Sequence, residues 1–294
     1  MKLRTLFSAS LFTAMSLGTA ATAISSSATA ATLEHKPITM GYVDWADQLA
    51  STNVLRVVLE DQGINVKTSS LSAAAMWQAT AIGDVDVIST WLPVTHANYY
   101  KRFKKQVDNL GSSFNGARLG LVVPDYVTDV NTIEDLKDKS AQFENQIIGI
   151  DPGAGIMSLT EKVMKSYGLN NMSLASGSDA TMTAVLANAI ERKKPIVITG
   201  WTPHWMFARW HLKYLEDPKG IYGGEEEIET IARKGLKEDN PKAYCILSHF
   251  KWNTNEMGNM MMLNQKQGSD PYANAKVWVK NHPDTVNSWV KECQ

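Results

Sequence analysis

The chain has 294 residues, 44% hydrophobic and 20% charged, which is enough material for two lobes that each bury a core. Lys and Arg number 29 against 30 Asp and Glu; the resulting net charge of −1 excludes a nucleic-acid binder that works through a basic excess, and equally a protein steered toward a strongly charged substrate. Trp and Tyr occur 9 times each and outnumber Phe at 7, a ranking that suits a protein needing flat, electron-rich faces.

Lys2 and Arg4 form a short basic start, and residues 6–23 form an apolar stretch without a charge. Small-residue sites follow at Ala21-Thr22-Ala23 and Ala28-Thr29-Ala30. Residues 1–30 are therefore expected to be a secretory signal peptide cleaved after Ala30. The segment has no Cys to carry a lipid, so the expected mature chain is exported, periplasmic and unanchored. Without Lys2 and Arg4 it holds 27 basic and 30 acidic residues, a formal charge of −3. No later apolar run reaches the roughly twenty residues of a bilayer span.

In chain order, Ile38–Val43 reads as a strand, and Leu55, Val58 and Leu59 mark a helix that stops at Gly63. A short strand near Val66, a helix over 73–82 and an apolar strand over 85–91 follow. Residues 120–124, then 125–138, read as a crossover to a second half with the same plan. There Ile147–Ile150 is a strand, Ile156, Leu159, Val163, Met164 and Tyr167 mark a helix ending at Gly168, and a helix over 181–190 leads to a strand over 196–201. Strands alternating with helices imply an α/β lobe with a mostly parallel sheet, here twice. Residues 212–218 read as the return. The tail from Glu225 reads as helical, with Ile228, Ile231 and Ala232 on one face and Met257, Met260, Met261 and Leu263 on a later one. Trp278 and Trp289 fall at helical spacings and read as packing residues.

The two halves share more than a period. Val87-Ile-Ser-Thr-Trp-Leu-Pro93 and Val197-Ile-Thr-Gly-Trp-Thr-Pro203 both read V-I-[S/T]-x-W-x-P. Each places a Trp, Trp91 or Trp201, at the carboxyl end of its third strand, where open parallel sheets bind ligands. Trp45 directly follows the first strand. Three indole faces suit a quaternary ammonium group, whose charge is spread over methyls and which has no N–H to donate; each face supplies roughly 0.5–2 kcal/mol once water is excluded.

Gly149-Ile-Asp-Pro-Gly-Ala-Gly155 places a Gly-rich turn between a strand and a helix start, where free N–H groups and the helix dipole favour an anion. The turn lacks the Lys-Ser/Thr of a phosphate-binding loop and the glycine spacing of a dinucleotide fingerprint, so a carboxylate fits better than a polyphosphate. His96 and His204 follow the cleft tryptophans, and either could donate to such an anion. His204, at a helix start, reads rather as structural. As a lone imidazole, His96 is expected to titrate near pH 6 and to bind more tightly once protonated. No nucleophile motif accompanies either His, and no Cys/His spacing fits zinc, so neither a metal nor a cofactor is expected. Pairing of Cys245 with Cys293 stays open; the alternative is a buried thiol at 245 and a loose one at 293. An exported hydrolase using His96 or His204 with Asp44 or Asp151 would need a nucleophile or metal that the sequence does not supply.

These stretches resemble the substrate-binding proteins of glycine betaine ABC transporters, the OpuAC type. The likeness runs from Ile38 to about Met262, on Gly149–Met157, Ile198–Phe207, Trp91–His96 and Leu121–Pro124. It implies a two-lobed periplasmic-binding-protein fold, type II-like, with the ligand cleft between lobes. Residues 33–121 plus 217–294 would form lobe one and residues 122–216 lobe two. It further implies a cage of Trp45, Trp91 and Trp201 for the trimethylammonium group, and the Gly155 and Ile156 amides with His96 for the carboxylate. Lobe one would supply Trp45, Trp91 and His96, and lobe two Trp201, Gly155 and Ile156. The implied partners are a small betaine ligand and membrane permease subunits driven by an ATPase, with the binding protein itself a monomer. Choline, carnitine, proline betaine and a dimethylsulfonium compound are the alternative solutes. Unlike anchored relatives the chain shows no lipobox Cys, and some relatives carry the two halves in the opposite order.

Overall fold

Val87–Leu92 and Ile198–Thr202, the segments of the repeated motif, are β-branched, aromatic and buried along nearly their whole length, as strands covered on both faces are. The computed structural model, which describes residues 36–293, makes each the third strand of a βαβαβ unit. The first unit is β1 (Ile38–Tyr42), α1 (Ala46–Asp61), β2 (Val66–Ser70), α2 (Ala73–Ile82) and β3 (Val87–Leu92), followed by α3 (Ala97–Phe103). A long strand, β4 (Val107–Pro124), and the short α4 (Leu136–Lys139) lead to the second unit. That unit is β5 (Gln146–Ile148), α5 (Gly155–Tyr167), β6 (Ser173–Ala175), α6 (Asp179–Glu191) and β7 (Ile198–Thr202). The chain continues through α7 (Met206–Arg209), β8 (Leu212–Tyr214), β9 (Glu226–Arg233) and α8 (Leu236–Asp239). It ends in α9 (Pro241–His249), α10 (Thr254–Asn264), α11 (Pro271–Asn281) and α12 (Pro283–Val290). The expected signal peptide, residues 1–30, lies outside the described residues.

The nine strands follow the order β2-β1-β3-β9-β4-β7-β5-β6, with β8 on the flank of β4. Within each unit the first strand lies between the second and third, and both pairings are parallel. Each third strand then meets an antiparallel neighbour, β9 against β3 and β4 against β7. This is the mixed α/β, two-lobed architecture expected from the sequence. The connection between halves is a strand rather than a loop: β4 pairs with β9 from Val107 to Ala117 and with β7 from Arg118 to Val122.

One expected element is overturned. Glu226–Arg233, read as the start of a helical tail, is strand β9 between β3 and β4. Ile228, Ile231 and Ala232 satisfy a helical period, but Glu226, Ile228, Thr230 and Ala232 also alternate, and all four are buried. Two open strand edges decide between the periods. Helicity resumes at α8, and there the tail is as expected: Met257, Met260 and Met261 are buried on one face of α10. Trp252, Trp278 and Trp289 form a buried aromatic cluster, with Trp278 and Trp289 stacked 6.0 Å apart. Cys245 and Cys293 are joined in a disulfide, which closes the question left open above.

Candidate functional site

Helix caps distinguish the elements at the cleft. Ser72 caps α2 and Ser178 caps α6, each side chain accepting from a first-turn amide. Helix α5 begins instead at Ala154, which has no side-chain oxygen to offer. The Gly155 and Ile156 N–H groups consequently have no acceptor among the described residues, although both residues are buried. Unpaired buried amides are costly, and at a helix start they carry the positive end of the dipole. Free N–H groups at a helix start are of the kind that hold anions.

Gly155 and Ile156 share a cavity with the three tryptophans. Trp45, Trp91, Trp201, Gly155 and Ile156 line one cavity together with Thr95, Leu119, Ile150 and Ala154. The cavity is small, about 20 Å³ in volume. Each indole is fixed from behind. Trp45 Nε1 donates to Asp151 Oδ2 (3.0 Å) across the cleft, and Trp91 Nε1 donates to Asp47 Oδ2 (3.1 Å). The Trp201 ring meets His204 edge-on, with centroids 4.7 Å apart. Asp47 is fully buried, and burial pushes its carboxyl up to about 6, a rise only partly offset by the Trp91 hydrogen bond.

Two close approaches shut the cleft. A Cβ on Gly155 would lie 2.2 Å from the Thr95 carbonyl oxygen, so this position admits only glycine in the closed arrangement. Thr95 is held in turn by the buried Glu226, which accepts from Val94 N and Thr95 N (2.8 Å each) and from Thr95 Oγ1 (2.5 Å). Tyr99 Oη donates to the Gly153 carbonyl (3.1 Å).

His96 is not one of the cavity's lining residues but neighbours Trp45, which is. It is buried 6.0 Å from the Trp45 ring, its Nδ1 2.5 Å from Thr90 Oγ1. Its Nε2 is buried without a partner. The expected titration near pH 6 is corrected: burial lowers the imidazole to about 4, so His96 is neutral at physiological pH. His204 is structural, as expected. Its Nδ1 accepts from Met206 N (3.1 Å), which leaves Nε2 to donate to Asp179 (3.0 Å). Asp44, the other acid weighed for a hydrolase, accepts from Ser70 instead (2.7 Å).

Thr95, Leu119, Asp47, Asp179 and Glu226 escaped the sequence reading. Glu226 lies in the run Glu225-Glu226-Glu227. The one available signal was its spacing, since the middle Glu shares the alternation of Ile228 and Thr230.

Comparison with known proteins agrees with this geometry. The sequence matches, over residues 36–281, the OpuAC family, described as the substrate binding domain of the ABC-type glycine betaine transport system. The glycine betaine/carnitine transport binding protein GbuC of Listeria monocytogenes is 50% identical over 155 residues, 52% of this chain and 51% of that protein. The chain thus spans about half the length of that relative. Lactococcal OpuAC, in its closed-liganded conformation with glycine betaine, superposes with a TM-score of 0.82 at 44% identity, covering 87% of this chain and 99% of that one. The glycine/betaine/L-proline-binding protein ProX from Borrelia burgdorferi gives a TM-score of 0.84 at 37% identity, covering 87% and 97%. The chain belongs to the OpuAC family of substrate-binding domains of ABC-type glycine betaine transport systems.

Proposed function

We propose that the protein binds glycine betaine, or a closely related quaternary-ammonium osmolyte bearing a carboxylate, outside the cytoplasm and delivers it to the permease subunits of an ABC importer. The observation that carries this reading is the pairing of unlike ends in one cavity. Three tryptophans line the same cavity as a helix start with two unpaired amides. Trp45, Trp91 and Trp201 hold the cation; Gly155 N, Ile156 N and His96 Nε2 donate to the carboxylate. Residues 33–121 with 217–294 act as one lobe and residues 122–216 as the other. A zwitterion bridging them makes its full set of contacts only when they close, so ligand shifts the population toward the closed form. The site binds without turnover. Choline has the cation but no carboxylate, and so leaves the α5 amides unpaired. Among the described residues no helix is long and apolar enough to cross a membrane. The working form is a periplasmic monomer.

A titration panel followed by tryptophan fluorescence tests this. Glycine betaine should bind near micromolar, around −8 kcal/mol, with choline at least tenfold weaker. Trp91→Ala and Trp201→Ala should each lose tenfold or more. Choline binding as tightly as glycine betaine, or full affinity in either variant, would overturn the assignment.

A further inference from the structure

Helices α1 and α5 both lack a side-chain cap from the residue before them, and they differ in what their first amides meet. At α5 the Gly155 and Ile156 amides have no acceptor among the described residues. At α1 the residue before the helix is Trp45, a cleft tryptophan with no oxygen to offer. The first amide of α1, Ala46 N, donates instead to Asp179 Oδ2 (3.0 Å), 133 residues away on the first residue of α6. Asp179 is 5% exposed, and its second oxygen accepts from His204 Nε2 (3.0 Å), the imidazole against which Trp201 rests.

We infer that Asp179 is a positioning residue for solute binding: it caps helix α1 from the opposite lobe, so that the bond forms only on closure and couples the seat of Trp45 to that of Trp201. The inference rests on the proposed binding function. The geometry makes one side chain serve both walls of the cage. Asp179 Oδ2 fixes the turn that carries Trp45, and Asp179 Oδ1 fixes the imidazole that braces Trp201. In an open form both Ala46 N–H and the carboxylate return to water, so the contact belongs to the closed state alone. Such a cap selects the closed form without touching the solute, and its loss appears mainly as faster release.

Two variants remove the bond from opposite ends. Asp179→Asn places an amide NH₂ where two donors already point. Ala46→Pro deletes the N–H at the first helical position, which tolerates proline, and the preceding Trp45 already has the extended backbone (φ −91°, ψ 148°) that proline requires. Calorimetric titration with glycine betaine should show each variant weakened tenfold or more, chiefly in the dissociation rate. The double variant should be no weaker than the worse single one, with the ligand-free melting temperature little changed. Binding within twofold of wild type in Ala46→Pro, or additive losses in the double variant, would overturn the inference. Should Asp179→Asn fail to fold, Ala46→Pro carries the test alone. Should wild type bind no betaine, the proposed function falls, and the closed fraction of the ligand-free protein, read by single-molecule distance between the lobes, still reads the cap. A lower closed fraction in Asp179→Asn than in wild type supports it, and an equal fraction overturns it.

Discussion

Gly155→Ala tests how closely the two halves must approach. The added methyl would sit 2.2 Å from the Thr95 carbonyl oxygen and 2.6 Å from its Cγ2, where ordinary contact begins at 3.4 Å. Something must yield by about 1 Å. The 93–96 loop is poorly placed to do so, because Glu226 ties it down through three hydrogen bonds. The displacement therefore falls on the cleft, stretching the hydrogen bonds to the solute carboxylate. A charged hydrogen bond is worth about 1.5–3 kcal/mol, so affinity should drop roughly tenfold to a hundredfold. The open protein has no such clash, and Gly155 lies in an ordinary helical conformation, so alanine there should raise ligand-free stability by about 0.4–1 kcal/mol. Calorimetric titration and urea unfolding of the same preparation separate the two effects. Affinity within twofold of wild type, or a ligand-free protein destabilised in step with the affinity loss, would refute the reasoning.

Four further outcomes follow from the geometry. His96→Ala should weaken glycine betaine tenfold or more yet change choline far less; equal losses for both would show that His96 only supports the fold. Because His96 stays neutral down to about pH 4, wild-type affinity should be flat from pH 6 to 8.5, and a tightening centred near 6.5 in fluorescence titrations would contradict the burial of its ring. The same burial links folding to acid. The unfolded chain takes up the His96 proton from 6.5 downward while the folded one waits until about 4, so stability present above 6.5 is lost as pH falls, by about 3 kcal/mol. Asp47 opposes this, since its folded carboxyl protonates near 6 and gains stability on acidification. His96→Gln should therefore lose less stability than wild type between pH 6.5 and 4.5 in urea melts; matching slopes would count against the mechanism. Finally, the disulfide closes a loop of 48 residues, and replacing both cysteines by serine should cost about 4 kcal/mol of stability on the chain-entropy scale. Solute affinity should not move, because no residue of α9–α12 lines the cavity.

The parts of the molecule that were legible in sequence are those written in local chemistry. The V-I-[S/T]-x-W-x-P segments combine strand propensity with an aromatic strand end, and both became third strands carrying a cavity tryptophan. The Gly-rich turn was readable because a strand, a turn and an uncapped helix start follow one another within ten residues. Asp47, Asp179 and Glu226 were not, because an acid is soluble by default and becomes a buried fixture only through partners 44 to 133 residues away. Strand β9 failed for a related reason. Its pattern fits two periods, and the choice is made by neighbours that no local window contains.

The matching strand order of the two units has a consequence for how such a protein can be encoded. Each unit is a βαβαβ element closed by an antiparallel strand, and each delivers its tryptophan from the same strand position. A cavity built from two interchangeable blocks is indifferent to which block leaves the ribosome first. Reversing their order requires new connections at the central strands β9 and β4, whose Ile228 and Leu119 pair with Trp91 and Trp201. A gene for this fold can therefore be reopened at that seam with its pocket intact only where those two pairings are kept.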